Sequence, residues 1–333
     1  MPFDVALFGA GAWGTALAVH LAPRMRVALY ARDAAHAALL ADSRENARYL
    51  PGVALPASLT VTSDLAAAAD AGTLVVATPA AALLALADRL AALGARAPLA
   101  WLSKGFVEAP GLPAGVGLAH QVLAPTWPGA VGVVSGPSFA EEVARGLPTA
   151  LVVAATDGAF ARDLAGRLRG ATLRAYDSPD LAGVEAGGAI KNVLAIAAGA
   201  CDGLGFGHNA RAALITRGLA EATRLATAMG GDARTLMGLA GLGDLVLTCT
   251  GDLSRNRRVG LALARGEALL AILASLGHVA EGVQAARAAR ALALHHGLDM
   301  PIVEAVFQVL YEELAPRHAV EALLDREPRS ETD

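Results

Sequence analysis

Three glycines near the start of the chain, Gly9, Gly11 and Gly14, constrain its fold more than any other feature. They follow the apolar run 5–8 and precede the helix-forming stretch 15–21. A strand, a GxGxxG loop and a helix in this order are typical of a dinucleotide-binding unit. Gly9 permits the tight turn, Gly11 lets the backbone approach a pyrophosphate, and Gly14 lets the helix pack closely on the strand. The free N–H groups at the start of that helix offer donors to phosphates.

Apolar runs alternate with helical segments over the first half of the chain. Further runs of this kind lie at residues 27–30, 74–77, 99–102, 131–134 and 151–154. Most of them are apolar throughout rather than alternating, which indicates strands buried on both faces of a parallel sheet. Strands separated by helical lengths predict right-handed crossovers. We therefore expect an α/β N-terminal domain with a Rossmann-type doubly wound parallel sheet.

The pattern changes near residue 178. Ser178-Pro179-Asp180 predicts a helix N-cap followed by proline at the first helical position. Long segments rich in alanine, leucine and arginine follow at 181–199, 210–229, 234–239, 256–264, 283–296 and 302–314. We predict a dinucleotide-binding domain over residues 1–178, an all-α substrate and catalytic domain over 179–325, and a charged tail over 326–333.

Composition argues against several classes of protein. The chain has 333 residues, of which 55% are hydrophobic, and a net charge of -4. This balance gives no sign of binding to nucleic acid or to an anionic membrane. The charge-free stretch 71–87 contains Pro79 and is short for a membrane span. Cys201 and Cys249 form no CxxC pair, and we find no leader-like segment, so we expect a cytoplasmic protein without a metal.

Lys191 and Asn192 lie inside a long apolar segment that forms a helix. Burying an ammonium without a partner is costly, so such a lysine is usually paired, neutralised or used chemically. Taken alone, Lys191 also fits a structural ion pair. Beside a nicotinamide-binding domain it suggests hydride transfer coupled to a proton relay.

Two strand ends and one helix face carry further polar groups. Lys104 follows the run 99–102, and Ser138 follows Gly136 after the run 131–134, at the edge of the sheet where ligands bind in this architecture. Asp244 and Thr248 are one helical turn apart and share a face. We expect burial and Lys104 to lower the pKa of Lys191, and Asp244 to favour its charged form.

A cradle for phosphate is predicted in the second half of the chain. Ser254 is suited to cap a helix, and Arg255 and Asn256 place donors beside the free N–H groups of its first turn. In the first half of the chain, Arg32 is the first charge after the second strand and can pair with a 2′-phosphate. This favours NADPH as the cofactor, while NADH remains an alternative because Asp33 lies next to Arg32.

Together these motifs resemble bacterial NAD(P)-dependent sn-glycerol-3-phosphate dehydrogenase. The resemblance covers about residues 4–325 and is carried by the segments at 9–18, 46–52, 103–105, 136–143, 187–192, 209–218, 238–244 and 254–258, in the family's order. It implies a helical domain like that of 6-phosphogluconate dehydrogenase. It also implies reversible reduction of dihydroxyacetone phosphate to sn-glycerol 3-phosphate with NADP(H) or NAD(H), which feeds glycerophospholipid synthesis.

The resemblance assigns roles to individual residues. Lys191 would donate and accept the proton, and the other residues of the catalytic group would be Lys104, Asp244, Asn192 and Thr248. The substrate would be bound by Lys104, Gly136, Ser138, Lys191, Asp244, Ser254, Arg255 and Asn256. The cofactor would contact Gly9, Gly11, Trp13, Gly14, Arg32, Tyr49, Lys104, Ala140, Arg255, Val279 and Glu281.

Three positions depart from the family pattern. Ala12 and Ala80 stand where serine is frequent, and His208 stands where aspartate is common. These changes concern cofactor affinity and remove no catalytic group. The alternatives are a related two-domain hydroxyacid or ketopantoate dehydrogenase, or a non-catalytic NADPH sensor. The oligomeric state is open, with a homodimer through the helical domain as the candidate assembly.

Overall fold

The computed structural model describes residues 1–276 and 280–325. The strands of this part, in chain order, are β1 (Val5–Phe8), β2 (Val27–Tyr30), β3 (Glu45–Asn46), β4 (Leu50–Ala54), β5 (Thr60–Thr62), β6 (Leu74–Val76), β7 (Leu99–Trp101), β8 (Val107–Glu108), β9 (Val116–Gly117), β10 (Val131–Ser135), β11 (Thr149–Ala155) and β12 (Leu173–Ser178). All of them precede residue 179, and from there onward the described chain is helical.

The helices fall into two groups. Those of the first half are α1 (Ala12–Leu21), α2 (Ala34–Ser43), α3 (Leu65–Ala69), α4 (Leu83–Ala92), α5 (Ala119–Thr126), α6 (Ala140–Ala144) and α7 (Gly158–Leu168). Those of the second half are α8 (Leu181–Gly203), α9 (Gly207–Ala228), α10 (Ala233–Leu236), α11 (Asp244–Thr250), α12 (Arg255–Ala264), α13 (Leu269–Leu276), α14 (Glu281–His296), α15 (Pro301–Tyr311) and α16 (Pro316–Leu324). The segment predicted as a helix at 234–239 is the short α10, followed by a π-helical turn at Leu239–Gly243.

One large sheet organises the first half. Its strand order is β12-β11-β10-β7-β6-β1-β2-β5, so the winding direction reverses between β1 and β6. Successive residues of β1 pack into cores on opposite faces, with Leu7 in one and Phe8 in the other. Burial on both faces explains why the strands are apolar throughout. The doubly wound Rossmann-type sheet is confirmed, and ligands bind such sheets at the point of reversal.

The expectation that every strand is parallel was wrong for the distal edge. β11 runs antiparallel to β10, with Val133 opposite Ala154, and β12 then follows β11 in parallel. The link from β10 to β11 contains only α6, a helix of 5 residues. A parallel return needs a crossover long enough to run back along the sheet, and this link is too compact for that. The chain therefore turns back where β10 ends.

The start of α8 also differs from its prediction. Ser178 is the last residue of β12, where it pairs with Ala154, and is not the N-cap. Asp180 is the N-cap, and its carboxylate accepts the N–H of Gly183 at 2.8 Å. Pro179 therefore precedes the cap and is not the first helical residue. The domain boundary that we predict at 178/179 falls on this junction, and the predicted tail lies outside the described residues.

Helix α8 is the centre of the helical half. Among the described residues it is the one helix long and apolar enough to cross a membrane, yet 94% of that apolar window is buried inside the protein. α9, α11, α12 and α14 surround it, and Val193, Leu194 and Ile196 belong to the core that they share. Lys191 and Asn192 are thus buried because their helix is covered on nearly all sides.

Candidate active site

The loop between β1 and α1 has the shape of a phosphate-binding turn. Gly9 has φ 121, in the left-handed region that favours glycine. A Cβ on Gly14 would lie 2.0 Å from the carbonyl oxygen of Gly9, so only glycine lets α1 begin this close to β1. At Gly11 a Cβ would meet nothing within 4 Å. The loop therefore leaves open space beside the N-terminus of α1, and a dinucleotide's pyrophosphate fits these residues.

Asn46 hydrogen bonds to this loop and to α1, a role that was not predicted from the sequence. Its side-chain amide is fully buried and donates to the carbonyl of Ala10 at 3.0 Å and to the hydroxyl of Thr15 at 2.7 Å. The hairpin β3–β4 is thereby tied to the glycine loop. A short polar residue within the 46–52 motif was the available signal.

Arg32 and Asp33 follow the end of β2, and of the two the Asp33 side chain caps the next helix. Arg32 is exposed beyond the strand. The Asp33 carboxylate caps α2 by accepting the N–H of His36 at 3.0 Å, and this bond holds the pKa of Asp33 below its usual value. The Tyr49 ring stands edge-on to the His36 ring, with their centroids 5.8 Å apart. Trp13 lies partly buried on α1 near the glycine loop.

A carboxylate and two lysines meet where the loop after β7 approaches α8 and α11. The Nζ of Lys191 donates to Asp244 Oδ1 at 2.5 Å and to the hydroxyl oxygen of Thr248 at 3.0 Å. The Nζ of Lys104 donates to Asp244 Oδ2 at 2.7 Å and to the carbonyl of Gly136 at 2.8 Å. Asp244 is 1% exposed and therefore depends on both cations for its charge.

The charges of this group shift one another's protonation. Burial lowers the pKa of Lys191, the Asp244 charge raises it, and the Lys104 charge lowers it again, with a result of about 8. Burial alone would raise the pKa of Asp244, but the two lysines outweigh it and keep the pKa below its usual value. The site thus holds a firmly ionised carboxylate beside an amine that can exchange a proton near neutral pH.

Two asparagines extend the site towards α14. The side chain of Asn192 donates to the backbone carbonyl of Lys104 at 2.7 Å and accepts from Asn256 Nδ2 at 2.9 Å. Asn256 Oδ1 in turn accepts the N–H of Gly282 at 3.0 Å. This chain of hydrogen bonds links α14, α12 and α8 to the loop after β7. Gly282 had not been considered from the sequence.

The predicted phosphate cradle lies at the start of α12. Ser254 caps the helix by accepting the N–H of Arg257 at 3.3 Å, while Arg255 is exposed and Asn256 is buried. Glu281 accepts weakly from the N–H of Ala80 at 3.4 Å. Burial raises the pKa of Glu281, and the nearby charge of Arg255 opposes that shift.

The segment after β10 carries two more of the predicted residues, Ser138 and Ala140. The Ser138 hydroxyl donates to the carbonyl of Gly136 at 3.0 Å, so this turn lies next to Lys104. Ala140 is the first residue of α6. Val279 lies outside the described residues. No group of three or more His, Cys, Asp or Glu side chains converges as metal ligands in the described part of the chain.

A contact between the two halves was missed altogether. Glu185 on α8 is buried, accepts the N–H of Ala119 at 3.0 Å and bonds the His120 ring at the start of α5. Burial raises the pKa of Glu185 despite its bond to His120. An acidic residue inside an apolar helix, six positions before Lys191, was the available signal.

Two family profiles match most of the chain. Residues 4–161 match the family profile of the NAD-dependent glycerol-3-phosphate dehydrogenase N-terminus, and residues 180–321 match that of its C-terminus. The chain belongs to the NAD-dependent glycerol-3-phosphate dehydrogenase family. The recognition made from the sequence motifs is confirmed. The first matched region lies in the sheet-containing half and the second in the helical half.

Full-length relatives in this family are closely similar. The glycerol-3-phosphate dehydrogenase [NAD(P)+] of Aromatoleum aromaticum is 57% identical, over 98% of this chain and 99% of its own. That of Methylibium petroleiphilum is 56% identical over 98% of each. The crystal structure of glycerol-3-phosphate dehydrogenase from Coxiella burnetii has a TM-score of 0.91 at 42% identity, covering 97% of this chain and 98% of its own.

More distant structures share the fold alone. A ketopantoate reductase from Ralstonia eutropha aligns with a TM-score of 0.54 at 16% identity, over 95% of this chain and 99% of its own. This is the rival enzyme class considered from the sequence. Both its TM-score and its sequence identity to this chain are far below those of the Coxiella burnetii glycerol-3-phosphate dehydrogenase.

Proposed function

We propose that this protein catalyses the reversible reduction of dihydroxyacetone phosphate to sn-glycerol 3-phosphate, with NAD(P)H as the hydride donor. The observation that carries the proposal is the buried group in which Lys191 and Lys104 share the carboxylate of Asp244. This group lies beside the carboxyl ends of the strands, where the glycine loop would hold a dinucleotide. Membership of the family supports the choice of substrate.

The residues present fit a nicotinamide dinucleotide. The glycine loop and the free N–H groups at the start of α1 would hold the pyrophosphate, with Trp13, Tyr49, Lys104, Ala140, Arg255 and Glu281 as further proposed contacts. When bound, the dinucleotide supplies the hydride that the C2 carbonyl of the substrate requires. The protein itself must then place that carbonyl and manage its proton.

Lys191 is the proposed source of the proton. Its ammonium would stabilise negative charge developing on the C2 oxygen and then donate to it. A pKa of about 8 leaves both protonation states accessible near neutrality, so the same amine can accept the proton in the oxidation. Lys104 and Asp244 would keep the amine in place and set its charge.

The phosphate of the substrate would be anchored at the start of α12. Arg255 is exposed there, and the N-terminal N–H groups that follow Ser254 favour an anion. The turn of Gly136 and Ser138, together with Asn256, completes the proposed substrate contacts. Binding energy from the phosphate would orient the remote carbonyl towards Lys191.

NADPH is the proposed preferred cofactor. Arg32 stands exposed where a 2′-phosphate would lie, and Asp33, the residue that would hold a ribose hydroxyl, is engaged as the cap of α2. A bound 2′-phosphate would therefore meet a cation and not a free carboxylate.

One set of assays tests the function. Oxidation of NADPH and NADH is followed with dihydroxyacetone phosphate, ketopantoate and a 3-keto acid, and we expect turnover with the first substrate alone. The Lys191→Ala variant should lose at least about a hundredfold in kcat with the fold intact. Tight NADPH binding without turnover on any substrate would favour a nucleotide sensor and contradict the proposal.

The cellular setting is also a proposal. The product is the glycerol backbone from which glycerophospholipids are built, and we place the enzyme in the cytoplasm, where the two free, buried cysteines would stay reduced. A homodimer through the helical half remains a prediction. Light scattering at several protein concentrations decides between a monomer and a dimer.

A further inference from the structure

The first turn of α12 carries three arginines that differ in what they bind. Arg255 and Arg258 are exposed, while the guanidinium of Arg257 is turned into the protein. Its Nη2 and Nε donate to Asp202 Oδ2 at 2.8 Å and 3.0 Å, and both of these side chains are 12% exposed. Its Nη1 donates to Asp252 Oδ1 at 2.9 Å. Arg257 is therefore held by carboxylates of the protein itself.

Asp202 lies in the last turn of α8, an unfavourable place for a carboxylate. The C-terminal end of a helix is the negative end of its dipole, so an acidic side chain there needs a cation. Two arginines supply it: Arg257 from α12, and Arg211 from α9, whose Nη1 donates to the same Oδ2 at 2.9 Å. Asp252 is 96% exposed, and an ion pair with it contributes little. Asp202 is thus the principal partner of Arg257.

A glycine lets α12 lie directly against α8. A Cβ on Gly260 would be 2.0 Å from the carbonyl oxygen of Ile196. One turn earlier on each helix, Asn256 Nδ2 donates to Asn192 Oδ1 at 2.9 Å. The contacts advance in the same order along both helices, which therefore lie side by side. Because Asn192 follows Lys191, this packing fixes the start of α12 close to the proposed proton donor.

The first turn of α12 is attached to α8 at two separate points. Asn256 binds Asn192, and Arg257 binds Asp202, 10 residues further along α8. At the rise of an α-helix these points are about 15 Å apart, so together they resist rotation and tilt of the turn. Arg255 directly precedes both residues and is itself exposed. Its position therefore depends on the backbone that Asn256 and Arg257 hold.

We infer that Arg257 is a positioning residue for the phosphate cradle, and that its pair with Asp202 sets the distance from Arg255 to the amine of Lys191. The inference rests on the proposed function, in which the phosphate lies against Arg255 while C2 faces Lys191. A spacing that is fixed before binding lets the phosphate orient the carbonyl. It favours a substrate whose phosphate is carried on the carbon next to the carbonyl.

Helix geometry separates the roles of the two arginines. Side chains two residues apart leave an α-helix about 200° apart, so Arg255 and Arg257 point to nearly opposite sides. With Arg257 turned to Asp202, Arg255 is the one of the two that meets the phosphate. Arg257 is therefore expected to act through Arg255 and not by contact with the substrate.

The test compares Arg257→Met, which keeps the aliphatic stem but removes the guanidinium, with Arg257→Lys, which keeps a cation. Both are assayed with saturating NADPH on dihydroxyacetone phosphate and on dihydroxyacetone, which has the carbonyl but no phosphate. We expect Arg257→Met to raise KM for dihydroxyacetone phosphate by about five- to tenfold, with kcat within about threefold. Its kcat/KM for dihydroxyacetone should stay within about twofold of the wild type. Arg257→Lys should bring KM back to within about threefold.

Arg211→Met is the matched control. Arg211 binds the same carboxylate oxygen but lies on α9, away from the cradle. We expect its KM for dihydroxyacetone phosphate to stay within about twofold of the wild type. A rise equal to that in Arg257→Met would show that the charge balance at Asp202 matters rather than the hold on α12, and would overturn the inference.

A double variant asks whether Arg257 acts through Arg255. Once Arg255→Ala has removed the anchor, adding Arg257→Met should raise KM by less than about twofold. A further five- to tenfold rise, as in the wild-type background, would mean that Arg257 acts independently of Arg255 and would overturn the inference.

Substrate length tests the fixed distance itself. The probe is the homologue of dihydroxyacetone phosphate with one more CH₂ between the carbonyl and the phosphate. We expect the wild type to prefer the shorter substrate in kcat/KM, and Arg257→Met to reduce that preference by about fivefold or more. An unchanged preference would contradict a role of Arg257 in setting the distance.

Failure of the inference is distinct from failure of the proposed function. If the wild type reduces dihydroxyacetone phosphate and Arg257→Met has the same KM, the positioning role is wrong and the function stands. Equal losses on dihydroxyacetone phosphate and dihydroxyacetone would indicate general damage and would also overturn the inference. Normal turnover in Lys191→Ala would overturn the function. Should Arg257→Met not fold, as judged by circular dichroism and thermal melting, Asp202→Asn decides by the same comparison of the two substrates.

Discussion

Lys104 and Lys191 hold opposite oxygens of one carboxylate, although they come from different halves of the chain. Lys104 follows a strand of the sheet and binds Asp244 Oδ2 at 2.7 Å, while Lys191 lies on α8 and binds Oδ1 at 2.5 Å. The two amines are thus fixed side by side across the junction of the two halves. Burial lowers the pKa of Lys191, and the repulsion between the two amines lowers it further, so the packing of the two halves contributes to the chemistry of the site.

The pH dependence of turnover follows from Lys191. Its pKa of about 8 means that the reduction, which needs the ammonium, should decline as the pH rises through about 8. The oxidation, which needs the neutral amine, should rise over the same range. In Asp244→Asn the charge that raises the pKa of Lys191 is lost, so both limbs should move to lower pH. Initial rates between pH 6 and pH 10, extrapolated to saturation, check this, and limbs that stay in place would argue against Lys191 as the titrating group.

Arg255→Ala should act on substrate binding more than on chemistry. The guanidinium is the proposed anchor of the phosphate, and we expect KM for dihydroxyacetone phosphate to rise by about tenfold or more with a smaller change in kcat. Arg258→Ala is the control, because Arg258 is exposed on the same helix one turn further on. Steady-state kinetics of both variants decide, and equal KM values would remove Arg255 from the cradle.

Cofactor choice should depend on Arg32 and not on Asp33. In Arg32→Ala we expect the Kd of NADPH to rise by about tenfold while that of NADH changes little, because only NADPH carries the 2′-phosphate. Asp33→Asn keeps an oxygen that can cap α2, so its affinity for NADH should stay near the wild-type value. Fluorescence titration with both dinucleotides measures the four constants. A large loss of NADH affinity in Asp33→Asn would show that Asp33 binds the ribose.

Glu221 predicts a pH-dependent stability far from the active site. It is buried on α9 and accepts the N–H groups of Ile302 and Val303, and burial raises its pKa from 4.5 to about 7. Between these values the unfolded chain ionises while the folded protein stays protonated. The free energy of unfolding should therefore fall as the pH rises from 4.5 to about 7, by up to about 3 kcal/mol.

The Glu221→Gln variant isolates this effect. Glutamine does not ionise, so the part of the pH dependence that comes from residue 221 should vanish from the denaturation curves. Glu321→Gln, at an exposed position on α16, should leave the pH dependence as it is in the wild type. Identical curves for Glu221→Gln and the wild type would show that the carboxyl titrates normally.

Local pattern was enough for much of the first half. The strand, glycine loop and helix at the start of the chain were predicted because each depends on neighbouring residues: apolar runs for the strand, and glycine for a backbone that Gly9 holds at φ 121. The direction of β11 was not predictable in this way. It depends on where a short link can bring the chain back, which no periodicity encodes.

In the helical half, too, local pattern predicted the elements but not the contacts that depend on remote residues. The pattern indicated a helix after residue 180, but pairing with β11 keeps Ser178 in the sheet and leaves the cap to Asp180. Glu185 and Asn46 were missed because their partners are remote in sequence, 66 and 36 residues away for their backbone contacts with Ala119 and Ala10. A polar residue in an apolar segment indicates that it has a partner in the folded protein, but the sequence does not show which residue that partner is.

The sequence by itself determined the kinds of groups in the cleft and the elements that carry them, because residue type and hydrophobic period act locally. It could not determine that Asp244 binds both Lys104, 140 residues away, and Lys191, 53 residues away. It also could not determine that the Thr248 hydroxyl donates to the backbone carbonyl of Asp244 on the same helix. Those facts depend on how α8 and α11 pack against the end of the sheet. Charge interaction falls with distance and rises with burial, so the pKa of Lys191 is lowered only once the halves are folded together.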